Sequence, residues 1–428
     1  MANNTDLSLR NQLIYSVYVR AHTPEGTFRA LEADLPRIRA LGTDILWLMP
    51  IHPIGVEGKK GSLGCPYANR DYRSVNPEYG NMEDFIHLVD AIHANGMKCI
   101  IDVVYNHTSP DSTLRYAHPE YFYHAPNGSF GNRFGDWADV IDLDYTNRGL
   151  WDYQIESLKQ WAAIVDGFRC DVASLVPVDF WLEARAACEE VKPGLIWLGE
   201  TVHKTFNCEA RIAGMKITSD SEAYAAFDME YGYDIRELLD DYWAGKRPLH
   251  EWVEALNGQE CTYPANYIKL RCLENHDQPR IAGRISDPLA LTNWHALMFM
   301  LKGTPMIYAG EEFCDANQPS LFEKDPVNWN GRDLSGELAH LASLKKRFFP
   351  ADGAFTAEAD DVQHAICAWH GMRGGRACIG LFSLKGQPVK MKADAPDGDY
   401  ENLIDGSMIS VHGGMLESDG RPVIICLG

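Results

Sequence analysis

Short apolar runs alternate with longer amphipathic stretches from about residue 12 to about residue 345. The runs are QLIYSVYV from Gln12, DILWLMP from Asp44, MKCIIDVVYN from Met97 and DGFRCDVA from Asp166. LIWLGET from Leu195, AAFDME from Ala225, YIKLRCLEN from Tyr267 and TPMIYAG from Thr304 complete the set. Strand-length runs separated by helix-length segments predict parallel strands joined by crossover helices. The intervening patterns FRALEADLPRIRALG and MEDFIHLVDAIHANGM read as helices, the second stopped by Asn95-Gly96. Eight β/α units predict a (β/α)8 barrel. The rival, an open doubly wound sheet, calls for a Gly-rich phosphate loop after an early strand, and no GxGxxG follows any of these runs.

Two stretches break the alternation. About 40 residues rich in aromatics and glycine separate the third strand from the helix beginning near Leu150, too long for a plain connector. After Pro350, short runs such as ICAWHG, ACIGLFSL and VIICLG alternate with Gly, Asp and Pro turns, the texture of an antiparallel β-module. The reading is a catalytic barrel over 10–106 and 149–349, an inserted subdomain over 107–148 and a C-terminal β-sandwich over 350–428.

Composition narrows the partners. A net charge of −21 and the lack of any basic stripe argue against nucleic acid and anionic membranes, and suit a neutral polyol. The eleven cysteines are scattered without a CxxC pair, which argues for buried thiols and against zinc. The opening MANNTDLSLRNQ lacks the apolar core of a secretory signal, and the expectation is a cytoplasmic protein.

Active sites of such barrels form at the C-terminal ends of the strands. There the third run carries Asp102, Asn106 and His107, the fourth Arg169 and Asp171, the fifth Glu200, and the seventh His276 and Asp277. Period-2 alternation puts Arg169 and Asp171 on one face. Each group alone reads equally well as a cap, an ion pair or a loop hydrogen bond. Their convergence at four strand ends is what predicts a site.

DVVYNHTS, GFRCDVAS, WLGET and ENHDQPR, in that order and at barrel-strand spacing, resemble the four conserved blocks of the α-amylase family, glycoside hydrolase family thirteen. PYANRDYRSVNPEYG from Pro66 resembles the family's segment after the second strand. The resemblance implies a retaining mechanism with Asp171 as nucleophile, Glu200 as general acid and base, and Asp277 binding the 2- and 3-hydroxyls of a distorted sugar. It also implies that Tyr67 stacks on that sugar, that His107 and His276 donate to its hydroxyls, and that Arg169 keeps Asp171 ionised. Asp102 anchors Arg169 and Tyr67 in the same scheme.

The pattern departs from secreted members at Ser174 and Leu175, where a Lys-His pair is usual. A structural calcium is therefore in doubt, although Asn106 and Asp142 fall where ligands often lie; the expectation is that no cofactor is required. Val172 after the nucleophile leaves α-1,6 linkages open. The resemblance thus implies a hydrolase of α-1,4-linked malto-oligosaccharides. A 4-α-glucanotransferase or an oligo-1,6-glucosidase on the same scaffold is the alternative. A non-catalytic amylase-like binding protein is disfavoured by the intact carboxylates.

Overall fold

The computed structural model describes residues 5–134, 137–371 and 376–428. Eight parallel strands close into a barrel: β1 (Ile14–Val17), β2 (Ile45–Leu48), β3 (Lys98–Val103), β4 (Gly167–Cys170), β5 (Ile196–Gly199), β6 (Met229–Tyr231), β7 (Lys269–Arg271) and β8 (Thr304–Tyr308). The ring closes through β1, which pairs with both β2 and β8. Alternation along each strand sorts side chains between two cores. Ile14, Ile45, Trp47, Ile100, Leu198, Leu270 and Met306 point inward and fill the barrel. Their neighbours Tyr15, Leu46, Ile101, Phe168 and Trp197 point outward and pack under the helices. Arg169, two residues after inward-facing Gly167, therefore places a buried charge inside the ring.

Two elements differ from the sequence reading. The pattern from Phe28 forms two short helices, Phe28–Glu32 and Leu35–Ala40, because Pro36 sits in the first turn of the second and supplies no N–H to continue the first. The sixth strand begins at Met229, not near Ala225, because the preceding residues complete the turn after the helix Asp220–Ala223. The helix Met82–Ala94 forms as expected, with a capping box at Asn81 and Gly96 at φ 71° behind it.

Between β3 and β4 the chain leaves the barrel. His107–Thr108 pairs antiparallel with Ile141–Asp142, tying the excursion back to the end of β3. At the C-terminus, Ala354–Asp360, Ala365–Gly371, Ala377–Ser383 and Val423–Leu427 form an antiparallel sheet. Two shorter ladders, Val389–Lys392 with Met415–Ser418 and Gly398–Glu401 with Met408–Val411, cover its outer face. Ile379, Leu381, Val389, Leu416 and Ile425 make the core between them.

Candidate active site

The site starts from one buried guanidinium. Nη1 of Arg169 donates to Asp102 Oδ1 at 2.9 Å and to Asp171 Oδ1 at 2.8 Å, and Nε donates to the Tyr231 hydroxyl at 3.2 Å. Nη2 lies 2.8 Å from Glu200 Oε2, off the N–H direction, so this contact is an ion pair and not an aligned hydrogen bond. Trp47, Tyr67 and Tyr231 surround the cation with their rings. One arginine thus gathers the carboxylates of β3, β4 and β5.

Local backbone geometry aims two of those carboxylates. The chain turns sharply after β4, where Val172 adopts φ 35° and ψ 46°, a left-handed conformation costly for a β-branched residue. This turn presents Asp171 to the barrel mouth and points the Val172 N–H at Glu200 Oε2, 2.8 Å away. Glu200 itself is held by its own N–H on the Cys170 carbonyl at 3.0 Å.

Across the mouth, His276 Nε2 lies 2.7 Å from the Tyr67 hydroxyl and 3.1 Å from Asp277 Oδ2. The Tyr67 hydroxyl donates in turn to Asp102 Oδ2 at 3.0 Å, and the two rings stack 5.3 Å apart. The side chain of Asp277 is 42% exposed, against 8% for Asp171 and for Glu200, so Asp277 reaches from the rim into open space. His107 Nε2 stands 3.9 Å from Asp171 Oδ2. A cleft of about 310 Å³ exposes Asp171, Glu200, Asp277, Tyr67, His107 and His276 together. Asp102 and Arg169 lie beneath it, fully buried.

Burial sets the electrostatics. It pushes Asp171 and Glu200 up to about 7 and Asp102 up to about 6, with Arg169 working against the rise in each case. Three carboxylates share one cation, so the cluster holds at least one proton near neutrality. Arg169 gives Asp171 an aligned, charge-assisted bond and Glu200 only a misaligned approach, which favours the proton on Glu200. Partial desolvation at the rim also raises Asp277, but the charge and hydrogen bond of His276 outweigh it and hold the carboxyl below its usual range. His107 is pushed down by burial and stays neutral.

The expected residues thus meet in one place, apart from the two calcium candidates. Asp142 accepts from the Arg133 N–H at 2.7 Å and from Asn132, with the Arg133 guanidinium 4.0 Å away, and Asn106 Nδ2 meets His107 Nδ1 at 3.1 Å. One carboxylate and two side-chain amides, each already hydrogen-bonded within the protein, do not fit an ion that takes about 6–8 oxygens. Residues missed in the sequence include Tyr233 after β6 and His203 after β5, which stack 4.2 Å apart on the cleft wall. Trp137, which lines the cleft, stacks on Phe206. Nothing local in the sequence marks Tyr233, His203 or Phe206; only the barrel order brings them together.

The family model described as Alpha amylase, catalytic domain, matches residues 5–124 and 133–347, and that of the Bacterial Alpha amylase C-terminal domain matches 356–425. The chain belongs to the α-amylase family. An α-amylase from Lactobacillus plantarum has a crystal structure that superposes with a TM-score of 0.94 at 43% identity, covering 99% of this chain and 100% of that one. A noncanonic maltogenic α-amylase, AmyB from Thermotoga neapolitana, superposes at 0.86 with 32% identity, over 98% and 99% of the two chains. Alpha-amylase MalA of Haloarcula japonica is 26% identical over 82% of this chain and 50% of its own length. An alpha-1,4-glucan:maltose-1-phosphate maltosyltransferase of Streptomyces coelicolor is 30% identical over 71% and 47%. The chain therefore spans about half the length of these last two α-amylase family relatives.

Proposed function

We propose that this α-amylase family member is a retaining glycosidase that hydrolyses α-1,4-linked malto-oligosaccharides through a glycosyl-enzyme on Asp171. The observation that carries the reading is the bridging of Asp171 and Glu200 by Arg169 at the floor of an open cleft. Asp171 Oδ1 is engaged by Arg169, so Oδ2 is the oxygen free to attack the anomeric carbon. Glu200 Oε2 is engaged by Val172 and Arg169, so Oε1 is free to carry the proton to the departing glycosidic oxygen. Once deprotonated, the same carboxylate takes a proton from water, which then releases the sugar from Asp171. Asp277, held ionised beside His276, accepts from the sugar's 2- and 3-hydroxyls, and the Tyr67 ring offers the apolar face on which it stacks.

Transfer to a second sugar is the competing outcome for the same intermediate. Stacked Trp137 and Phe206 favour it by offering an aromatic surface to an acceptor sugar. A relative named cyclomaltodextrin glucanotransferase, from Geobacillus stearothermophilus, points the same way. Products longer than the starting oligosaccharide would mark transfer. We also place the protein in the cytoplasm, on its eleven free cysteines; among the described residues no helix is long and apolar enough to cross a membrane.

The deciding experiment incubates the enzyme with maltoheptaose, and separately with a fluorinated α-glucosyl fluoride that arrests the covalent intermediate. Shorter maltodextrins and a mass increase on the peptide carrying Asp171 are expected. Near wild-type turnover by Asp171→Asn, or a label on another residue, overturns the assignment.

A further inference from the structure

The barrel order fixes what lies opposite Glu200. In a ring of eight strands β5 faces β1, and β1 is flanked by β2 and β8. The loops after β2 and β8 are stitched together over β1. The Leu63 N–H donates to the Phe322 carbonyl at 3.1 Å, and the Ser62 N–H donates to Glu323 Oε1 at 2.7 Å. The Ser62 hydroxyl meets the other Glu323 oxygen. Arg20, just past β1, donates from Nη1 to the carbonyls of both loops, Gly64 at 3.0 Å and Leu321 at 3.2 Å. Glu78 fixes this arginine at 2.7 Å. At Gly61 the loops approach so closely that a Cβ would sit 2.6 Å from Phe322 Cβ. From this stitched segment Lys60 reaches across to Asp139 of the inserted excursion, Nζ to Oδ1 at 2.9 Å. Lys60, Asp139, Leu321 and Phe322 all line the cleft.

The direction of the substrate follows from the chemistry. Glu200 protonates the leaving oxygen, so the departing, reducing-end part of the chain lies on the β5 side. The sugar attached to Asp171 then points its 4-hydroxyl end at the opposite side, where the stitched loops stand. An internal segment of glucan continues through that 4-oxygen and meets the wall; a chain terminus does not.

We propose that these loops, latched by Lys60–Asp139, close the non-reducing side of the cleft and make the enzyme exo-acting on free non-reducing ends. The inference rests on the glycosidase reading above, and names the part of the glucan that reading leaves open. Its products are glucose or maltose cut from the terminus.

The test compares two reducing-end-labelled maltoheptaoses, one free and one with a 4,6-ethylidene group on its non-reducing glucose. The free substrate is expected to lose an unlabelled unit of one short length from the first turnovers, with the blocked one slower by about 100-fold or more. Equal rates with mixed product lengths overturn the inference and leave the glycosidase reading standing. Cleavage of neither substrate removes the glycosidase reading, and this inference with it. The double variant Lys60→Ala/Glu323→Ala unlatches the wall. Lys60 is 41% exposed and the Ser62–Glu323 contact is on the surface, so the fold is retained, as circular dichroism would check. The blocked-to-free rate ratio of this variant is expected to rise about tenfold. A folded variant with an unchanged ratio shows that the wall does not set the cleavage mode.

Discussion

At the scale of single residues, the site stores electrostatic strain. Asp102, Asp171 and Glu200 are buried around one guanidinium. Burial raises the folded-state pKa of Glu200, which carries the proton of the cluster, from an ordinary carboxylate value to about 7. A group raised in this way contributes stability that is fully present below its unfolded pKa and is lost as pH rises through the folded one. The loss for Glu200 therefore falls between about pH 4.5 and about pH 7. An amide does not titrate, so Glu200→Gln is expected to be inactive yet more stable than the parent at pH 8, by about 1–2 kcal/mol. The gap should shrink towards pH 4. Urea unfolding at the two pH values measures it, and a variant less stable at pH 8 contradicts the account. Arg169→Lys tests the other partner. The charge survives, but a single ammonium cannot hold Asp102 and Asp171 on one nitrogen and face Glu200 with another. We expect kcat to fall by about 100-fold with a smaller change in KM, because the acid and the nucleophile lose their shared reference point.

At the scale of elements, the arrangement depends on β4 lying close beside β5. A Cβ on Gly167 would sit 2.2 Å from the Ile196 carbonyl oxygen, a backbone atom that cannot swing aside. Gly167→Ala is expected to cost about 3 kcal/mol and to lower activity as well, since Arg169 and Asp171 follow on the same strand. Thermal unfolding and steady-state kinetics on one preparation report both effects. An alanine variant as stable as the parent would falsify the close-approach argument. Gly167 also shows how much of this was legible in advance. Alternation along GFRCDVA placed Arg169 and Asp171 on one face, and strand ends gathered Asp102, Glu200 and His276, because period 2 and barrel polarity are properties of sequence position. The left-handed turn at Val172 was not legible, since a valine carries no propensity for it. Tyr233, His203 and the Lys60–Asp139 latch join residues from different loops, and no local pattern encodes such contacts. The calcium expectation drew on two residues of suitable type.

At the scale of the whole molecule, the C-terminal sheet is joined to the barrel by side-chain amides as well as by apolar packing. Asn257 exchanges both hydrogen bonds with Ala357, at 2.8 and 2.9 Å. Asn293, on the helix Pro288–Met300 before β8, donates to the Gly420 carbonyl at 2.8 Å and accepts from the Ser383 N–H at 2.8 Å. Asn293 is fully buried, so its loss strands a donor and an acceptor where water does not reach. Leaving both groups unpaired costs about 2–4 kcal/mol. That cost falls on the junction, because Asp102, Asp171 and Glu200 sit at or one residue past the ends of barrel strands whose pairing Asn293 does not touch. Asn293→Ala is therefore expected to split the calorimetric unfolding trace, with the C-terminal sheet melting ahead of the barrel. Below that first transition, kcat on maltoheptaose should match the parent. A single transition at the parent's temperature would mean that apolar packing alone couples the two parts. Loss of activity before any unfolding would mean instead that the sheet supports the site through the helix it rests on.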